Sequence, residues 1–350
     1  MKPASRRIAW SVLAAAGIGV WIASFGFGDT ARVWRALLVN FTFFVSLAGG
    51  LFCWSAVMSA AKATWNQGVE RIPLSACGFA VPSLAALALL WYGAASWAPW
   101  ATREYHQGVW LHPWFLFTRN ILALGFFWWC ARRFLRRRNA EAGSGPAALV
   151  IVAYCVAFSL LGFDLVMALD PNWYSSLFGG YFFISGLYIG VAAWTFLTVV
   201  GGMGRARQLQ DLGNLTMAFS ILTTAMLFAQ LLTIWYENIP KETVYLVPRM
   251  NYLPWKGVSL VLLALVYLGP LVMLLTRWAK RTRWVLGLIT LLILSGMWME
   301  RLWLITPVFG HGLHLGIPEF SLMAGFIGLC GVAFDIAATG IGDAPEGEAP

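Results

Sequence analysis

About ten runs of predominantly apolar residues, each close to the twenty or so that cross a bilayer, follow one another along this chain. They lie near Ile8 to Ser24, Trp34 to Ala61, Pro73 to Tyr92, Pro113 to Arg132 and Pro146 to Leu169. The remainder run near Phe178 to Val200, Leu212 to Tyr236, Gly257 to Leu275, Val285 to Ile305 and Phe320 to Ala338. No other feature restricts the fold so tightly. The expected class is all-α: an integral membrane protein of about ten transmembrane helices. Composition agrees, with 60% of residues hydrophobic and 11% charged, against roughly 25% charged in a soluble domain. The 20 Trp and 24 Phe suit a lipid-facing protein with aromatic belts.

The formal charge of +9 does not indicate nucleic acid, because the charges sit in short loops between the runs. With the N-terminus inside, the cytoplasmic segments carry Lys2, Arg6, Arg7, Lys62, Arg71, Arg132, Arg133, Arg136, Arg137, Arg138, Arg205, Arg207, Arg277, Lys280, Arg281 and Arg283. The outer segments carry Arg32, Arg35, Arg103, Lys241, Arg249 and Lys256. That is 16 against six, and the positive-inside rule then puts both termini in the cytoplasm. The basic N-terminus ahead of an apolar run has no small-x-small cleavage site after it, so it reads as a retained first helix. Residues 341–350 read as a disordered tail and residues 1–340 as a single transmembrane domain.

A four-helix unit recurs. Phe43-Phe44-Val45-Ser46 in the second run matches Phe182-Phe183-Ile184-Ser185 in the sixth. Trp91-Tyr92 ends the third and Trp235-Tyr236 the seventh, and Pro113-Trp114 answers Pro254-Trp255. Leu122-Ala123-Leu124 answers Leu263-Ala264-Leu265. Asp164 stands seven residues before Pro171, and Glu300 seven before Pro307. An even number of helices per unit makes the copies parallel. Two four-helix bundles are expected, helices two to five (about residues 34–170) and six to nine (about 178–306), with helices one and ten flanking them.

Charges inside a span cost a few kcal/mol, which makes them functional candidates. Asp164 and Arg119 each lie about two turns from the outer end of their helices, roughly 9 Å deep at 1.5 Å per residue. Adjacent antiparallel helices would pair them. Glu300 and Arg301 occupy the equivalent depth in the second unit, where Leu260 matches Arg119. A polar pocket for a quinone head group, or a station for protons, is one reading. Buried ion pairs that lock helix packing are the other. Asp211 sits where an N-cap belongs, Asp335 at an inner helix end, and Glu237 at an outer one.

His106, His112, His311 and His314 fall in outer loops or at helix ends, which argues against a b-type haem held within a bundle. His311 and His314 are candidates to take up or release protons beside the Glu300 helix. Cys53, Cys77, Cys130, Cys155 and Cys330 all lie in apolar runs with no Cys-x-x-Cys pair, which argues against iron–sulfur, zinc or attached haem c. No nucleotide-binding glycine motif appears, and no metal site is expected.

Three stretches carry a resemblance: Ala168-Leu169-Asp170-Pro171-Asn172-Trp173-Tyr174-Ser175-Ser176-Leu177-Phe178-Gly179-Gly180-Tyr181-Phe182-Phe183, then Asp211-Leu212-Gly213, then Ile234-Trp235-Tyr236-Glu237-Asn238-Ile239-Pro240-Lys241-Glu242-Thr243. Together they resemble the NrfD-like (polysulfide reductase membrane subunit) family, and within it the F-type membrane subunits of alternative complex III, a bacterial quinol:cytochrome c oxidoreductase. The resemblance runs from about helix two to helix ten. Asn172 departs from the family pattern, which has His there.

The resemblance implies ten helices in two bundles in the bacterial inner membrane. It implies a periplasmic iron–sulfur subunit, c-type cytochrome subunits, a homologous NrfD-like membrane subunit and a terminal oxidase as partners. Haem and iron–sulfur clusters would stay in those partners, leaving quinone or quinol as the cofactor this chain meets. Asp164 would accept a quinol proton, Arg119 would be its electrostatic partner, Trp173 and Tyr174 would wall the pocket, and Asp170 and Glu237 would be further quinone or proton candidates. On this reading the chain is not an enzyme alone. A purely structural anchor of such a complex is the alternative, and a secondary transporter ranks below both.

Overall fold

The computed structural model describes residues 3–103, 105–137, 145–310 and 312–340. Lys2, Arg138, His311 and the tail from 341 therefore lie outside the described residues. The described chain is helical, with no strand. This follows from the solvent: hydrocarbon offers backbone groups no partners, so each apolar run must satisfy them internally. We label the main helices α1 (Pro3–Ala23), α2 (Thr30–Ala60), α3 (Arg71–Tyr92), α4 (Pro113–Arg137), α5 (Gly145–Leu165) and α6 (Leu177–Val200). Next come α7 (Ala206–Glu237), the short α8 (Pro240–Met250), α9 (Trp255–Met273), α10 (Arg283–Ile305) and α11 (Ile317–Gly340).

Among the described residues, nine of these helices are long and apolar enough to cross a membrane, where the sequence suggested about ten. The difference is α4. It is 25 residues long, but Arg119, Arg132, Arg133, Arg136 and Arg137 dilute its apolar stretch. The short α8 lies in what read as an outer loop.

At the centre, α2 packs against α6. Gly50, Gly186 and Gly190 make that crossing possible, because a Cβ at Gly50 would overlap the Gly186 carbonyl and one at Gly190 the Gly50 backbone. Close approach through small residues substitutes for the hydrophobic drive that lipid cannot supply. Around this pair, α2 also meets α3, α5, α10 and α11, while α6 also meets α5, α7 and α10. The α4 helix lies against α3 and α5, and α9 against α7 and α10. The α1 helix packs along α11, and the Arg6–Asp335 pair at 2.7 Å ties one end of that couple.

Two local departures matter for the site. The α7 helix begins at Ala206, so Asp211 lies within it and is not its N-cap. Instead Gln208 Oε1 accepts the Arg205 N–H at 2.8 Å. Second, α9 is not uniform: Leu263–Leu268 forms a π-helical turn between two α-helical pieces. Pro270 gives a cause, since it has no N–H to return to the Val266 carbonyl and its ring crowds that position. Tyr188 hydroxyl donates to the freed Val266 carbonyl at 3.0 Å, and Ser220 hydroxyl to the Tyr267 carbonyl at 3.0 Å.

Candidate functional site

Four charged residues within the long helices form two separate clusters. In the first, Arg119 on α4 meets Asp164 on α5 in a two-pronged ion pair, Nε to Oδ2 at 2.9 Å and Nη2 to Oδ1 at 2.7 Å. The depth argument from sequence anticipated this partner. It did not anticipate Asn120, whose Nδ2 donates to Asp164 Oδ2 at 2.6 Å. The guanidinium also lies 3.7 Å from the Trp110 ring centroid and 4.9 Å from that of Phe115. Asp164 is fully buried while Arg119 keeps 12% of its side chain exposed. Both carboxylate oxygens therefore have donors, in the geometry that makes Arg–carboxylate pairs strong.

In the second cluster, both charges come from neighbouring positions on α10. Glu300 and Arg301 are each fully buried. Residues at i and i+1 on a helix point in different directions, so their contact is a single 3.2 Å approach of Arg301 Nη1 to Glu300 Oε2, without hydrogen-bond alignment. Other helices complete the cluster. Tyr181 on α6 donates its hydroxyl to Glu300 Oε1. The Tyr267 hydroxyl, carried by the π turn of α9, lies 2.9 Å from that of Tyr181. Arg301 Nη2 donates to Ser185 Oγ at 2.8 Å, and its guanidinium sits 4.3 Å from the Phe182 ring centroid.

Glu300 Oε2, Arg301 Nε and Arg301 Nη1 have no hydrogen-bond partner among the described residues. Buried polar atoms left open in this way cost free energy unless water or a ligand meets them. In the first cluster the open atoms are Arg119 Nη1 and Asn120 Oδ1, not the carboxylate.

The remaining candidates divide. Asp170 organises a turn: its Oδ1 accepts the Asn172 N–H at 3.2 Å and its carbonyl accepts the Trp173 N–H at 3.0 Å. That turn lays the buried Trp173 flat on Tyr245 of α8, centroids 3.7 Å apart and planes 8° from parallel. Tyr174, the next residue, is exposed. So the two aromatic residues do not line one pocket. Glu237 is the exposed last residue of α7. His314 is exposed and borders a small cavity of about 70 Å³ with Arg32, Arg35 and Glu319. Neither reaches the Asp164 or Glu300 cluster.

Sequence reasoning also misread Arg249 as a loop charge. It is 1% exposed and donates to the Trp303 and Leu304 carbonyls at 3.2 and 2.8 Å, and to that of Tyr245. It thus neutralises the open C-terminal end of the helix that carries Glu300. Burial pushes the Tyr245 phenol up and pulls the Arg249 guanidinium down from their ordinary values. Glu319, also unremarked in sequence, binds Arg32 through two 2.9 Å bonds. The missed residues left one faint signal: Tyr181 lies inside the stretch that carried the family resemblance. Compared with protein-family models and with curated proteins, the chain matches none of them.

Proposed function

We propose that this chain is a membrane subunit of a respiratory quinol:electron-acceptor oxidoreductase, handling protons released by quinol and anchoring periplasmic iron–sulfur and cytochrome c subunits. The observation that carries this reading is the Glu300 cluster. A carboxylate with no solvent exposure holds a chain of two tyrosine hydroxyls on one oxygen, while its other oxygen, 3.2 Å from Arg301 Nη1, accepts no hydrogen bond among the described residues. Quinol oxidation releases two protons with its two electrons. The electrons pass to the partner's redox centres, and a proton needs a base at hydrogen-bond reach. Glu300 is better suited to that task than Asp164, whose two oxygens are already engaged by Arg119 and Asn120.

The same proposal takes α4 as a tenth span. It places the chain in the inner membrane with both termini in the cytoplasm and groups α2–α5 and α6, α7, α9 and α10 as two four-helix bundles. Supporting this are the 16-to-six division of basic residues and the contacts of α4 with α3 and α5 and of α9 with α7 and α10.

The structural-anchor reading has its own support, because the Arg119–Asp164 pair is built as a lock. Turnover separates the two. In the complex purified from its native membrane, quinol:acceptor activity per assembled complex falls in Glu300→Gln if Glu300 handles protons. An anchor leaves it unchanged. A colourless chain recovered repeatedly without haem- or iron–sulfur-bearing partners would overturn both.

A further inference from the structure

A cleft of about 1000 Å³ opens where the α2–α3 loop meets the start of α7. Its walls are fastened to each other. Gln208 Nε2 of α7 donates to the Trp65 and Gln67 carbonyls at 2.9 and 2.7 Å. Trp194 of α6 donates its Nε1 to the Val69 carbonyl at 2.9 Å and stacks on Trp65, centroids 5.8 Å apart at 26°. The cleft therefore exists before anything binds, which spares a ligand the cost of ordering it.

Its lining is amphipathic. Trp65 and Met203 supply apolar surface, and Arg205 and Arg207 supply two exposed guanidinium groups. Neither arginine makes an ion pair among the described residues. The nearby Arg283 donates to the Gly204 carbonyl at 2.6 Å and keeps a third positive charge close by. Asp211 is the one acidic group on the wall among the described residues. Val200, the last residue of α6 and three residues before Met203 of the cleft, is 67% exposed.

We propose that this cleft binds the phosphodiester headgroup of an anionic phospholipid, with Arg205 and Arg207 on the phosphate and Trp65 and Met203 against the upper acyl chain. A basic pocket between spans at one membrane face is the geometry that recognises such lipids. The apolar half of the lining selects a lipid over a soluble phosphate. The site needs a bilayer around the helices and is independent of the reaction the subunit serves.

Native mass spectrometry tests it on the full-length chain, delipidated in detergent and titrated with phosphatidylglycerol or phosphatidylcholine. Each arginine near the surface is worth roughly a fivefold change in affinity, so R205A/R207A weakens phosphatidylglycerol binding about 25-fold and leaves phosphatidylcholine unchanged. The charge-keeping R205K/R207K retains binding within about fivefold. D211N tightens it a few-fold, and serves on its own should the double alanine variant not stay monodisperse. Wild-type affinity in R205A/R207A, or no response to D211N, overturns the proposal. So does an equal loss in R136A/R137A, which would mean diffuse surface charge, or displacement by millimolar inorganic phosphate, which would mean a soluble anion.

Discussion

The two intramembrane clusters carry the same kinds of charge and satisfy them in opposite ways. Asp164 takes its cation from a neighbouring helix, so Arg119 approaches head-on with two aligned bonds and Asn120 adds a third. Glu300 has its cation next to it in the chain, and helix geometry forbids a head-on approach. It is held instead by Tyr181 and, through it, Tyr267, and its other oxygen meets Arg301 only in a 3.2 Å unaligned approach and accepts no hydrogen bond among the described residues. The sequence motifs that recur along the chain set Leu260 against Arg119 and Leu165 against Arg301. An arginine on a neighbouring helix gives a saturated ion pair, and one at the next position of the same helix does not. The difference teaches that the presence of an intramembrane carboxylate says less about function than the geometry of its donors does.

The largest effect expected is on the first cluster. Asp164→Ala leaves the part-buried Arg119 without its counter-charge and costs about 3 kcal/mol, the lower end for a broken buried pair, read as a lower midpoint of thermal unfolding in detergent. Replacing both partners, R119L/D164L, recovers most of that loss, since apolar packing substitutes well for a buried pair. If the double variant is as unstable as the single one, Asp164 is not a lock.

Next comes Glu300→Gln. The amide still accepts from Tyr181, but the buried Arg301 loses its counter-charge, so stability falls by about 3 kcal/mol while turnover per assembled complex drops about 100-fold, the lower range for loss of a proton-transferring group. Asp164→Asn provides the contrast and holds turnover within about threefold. Equal losses in the two would dissolve the distinction between the clusters.

Tyr181→Phe removes the bond to Glu300, worth about 1.5–3 kcal/mol for a charged acceptor, and lowers turnover about tenfold. Tyr267→Phe removes only a bond between two hydroxyls, worth about 1 kcal/mol, and lowers it two- to fivefold. Reversal of that order would shift proton handling onto the π turn of α9.

Much of this protein is written locally in its sequence. Apolar runs of bilayer length become helices whatever their neighbours do, because each must satisfy its own backbone in hydrocarbon. The pairing of Arg119 with Asp164 was legible for the same reason. Equal depth on adjacent helices needs only the rise per residue and the direction of the chain. Even here α4 shows the limit: it is 25 residues long but not among the helices apolar enough to cross a membrane.

Rotation of helices about their axes is not local. Whether Tyr181 faces Glu300 or lipid depends on packing between α6 and α10, set partly by the glycines where α2 crosses α6. Tyr267 reaches the cluster from a π turn that Pro270 favours by withholding one hydrogen bond. Arg249 read as a loop charge because only the folded chain brings α8 to the end of α10. The sequence by itself determined an all-helical chain with apolar spans and one ion pair. Only the tertiary structure decided which buried carboxylate is saturated and which is open, because that depends on donors brought from distant helices at angles no residue spacing encodes.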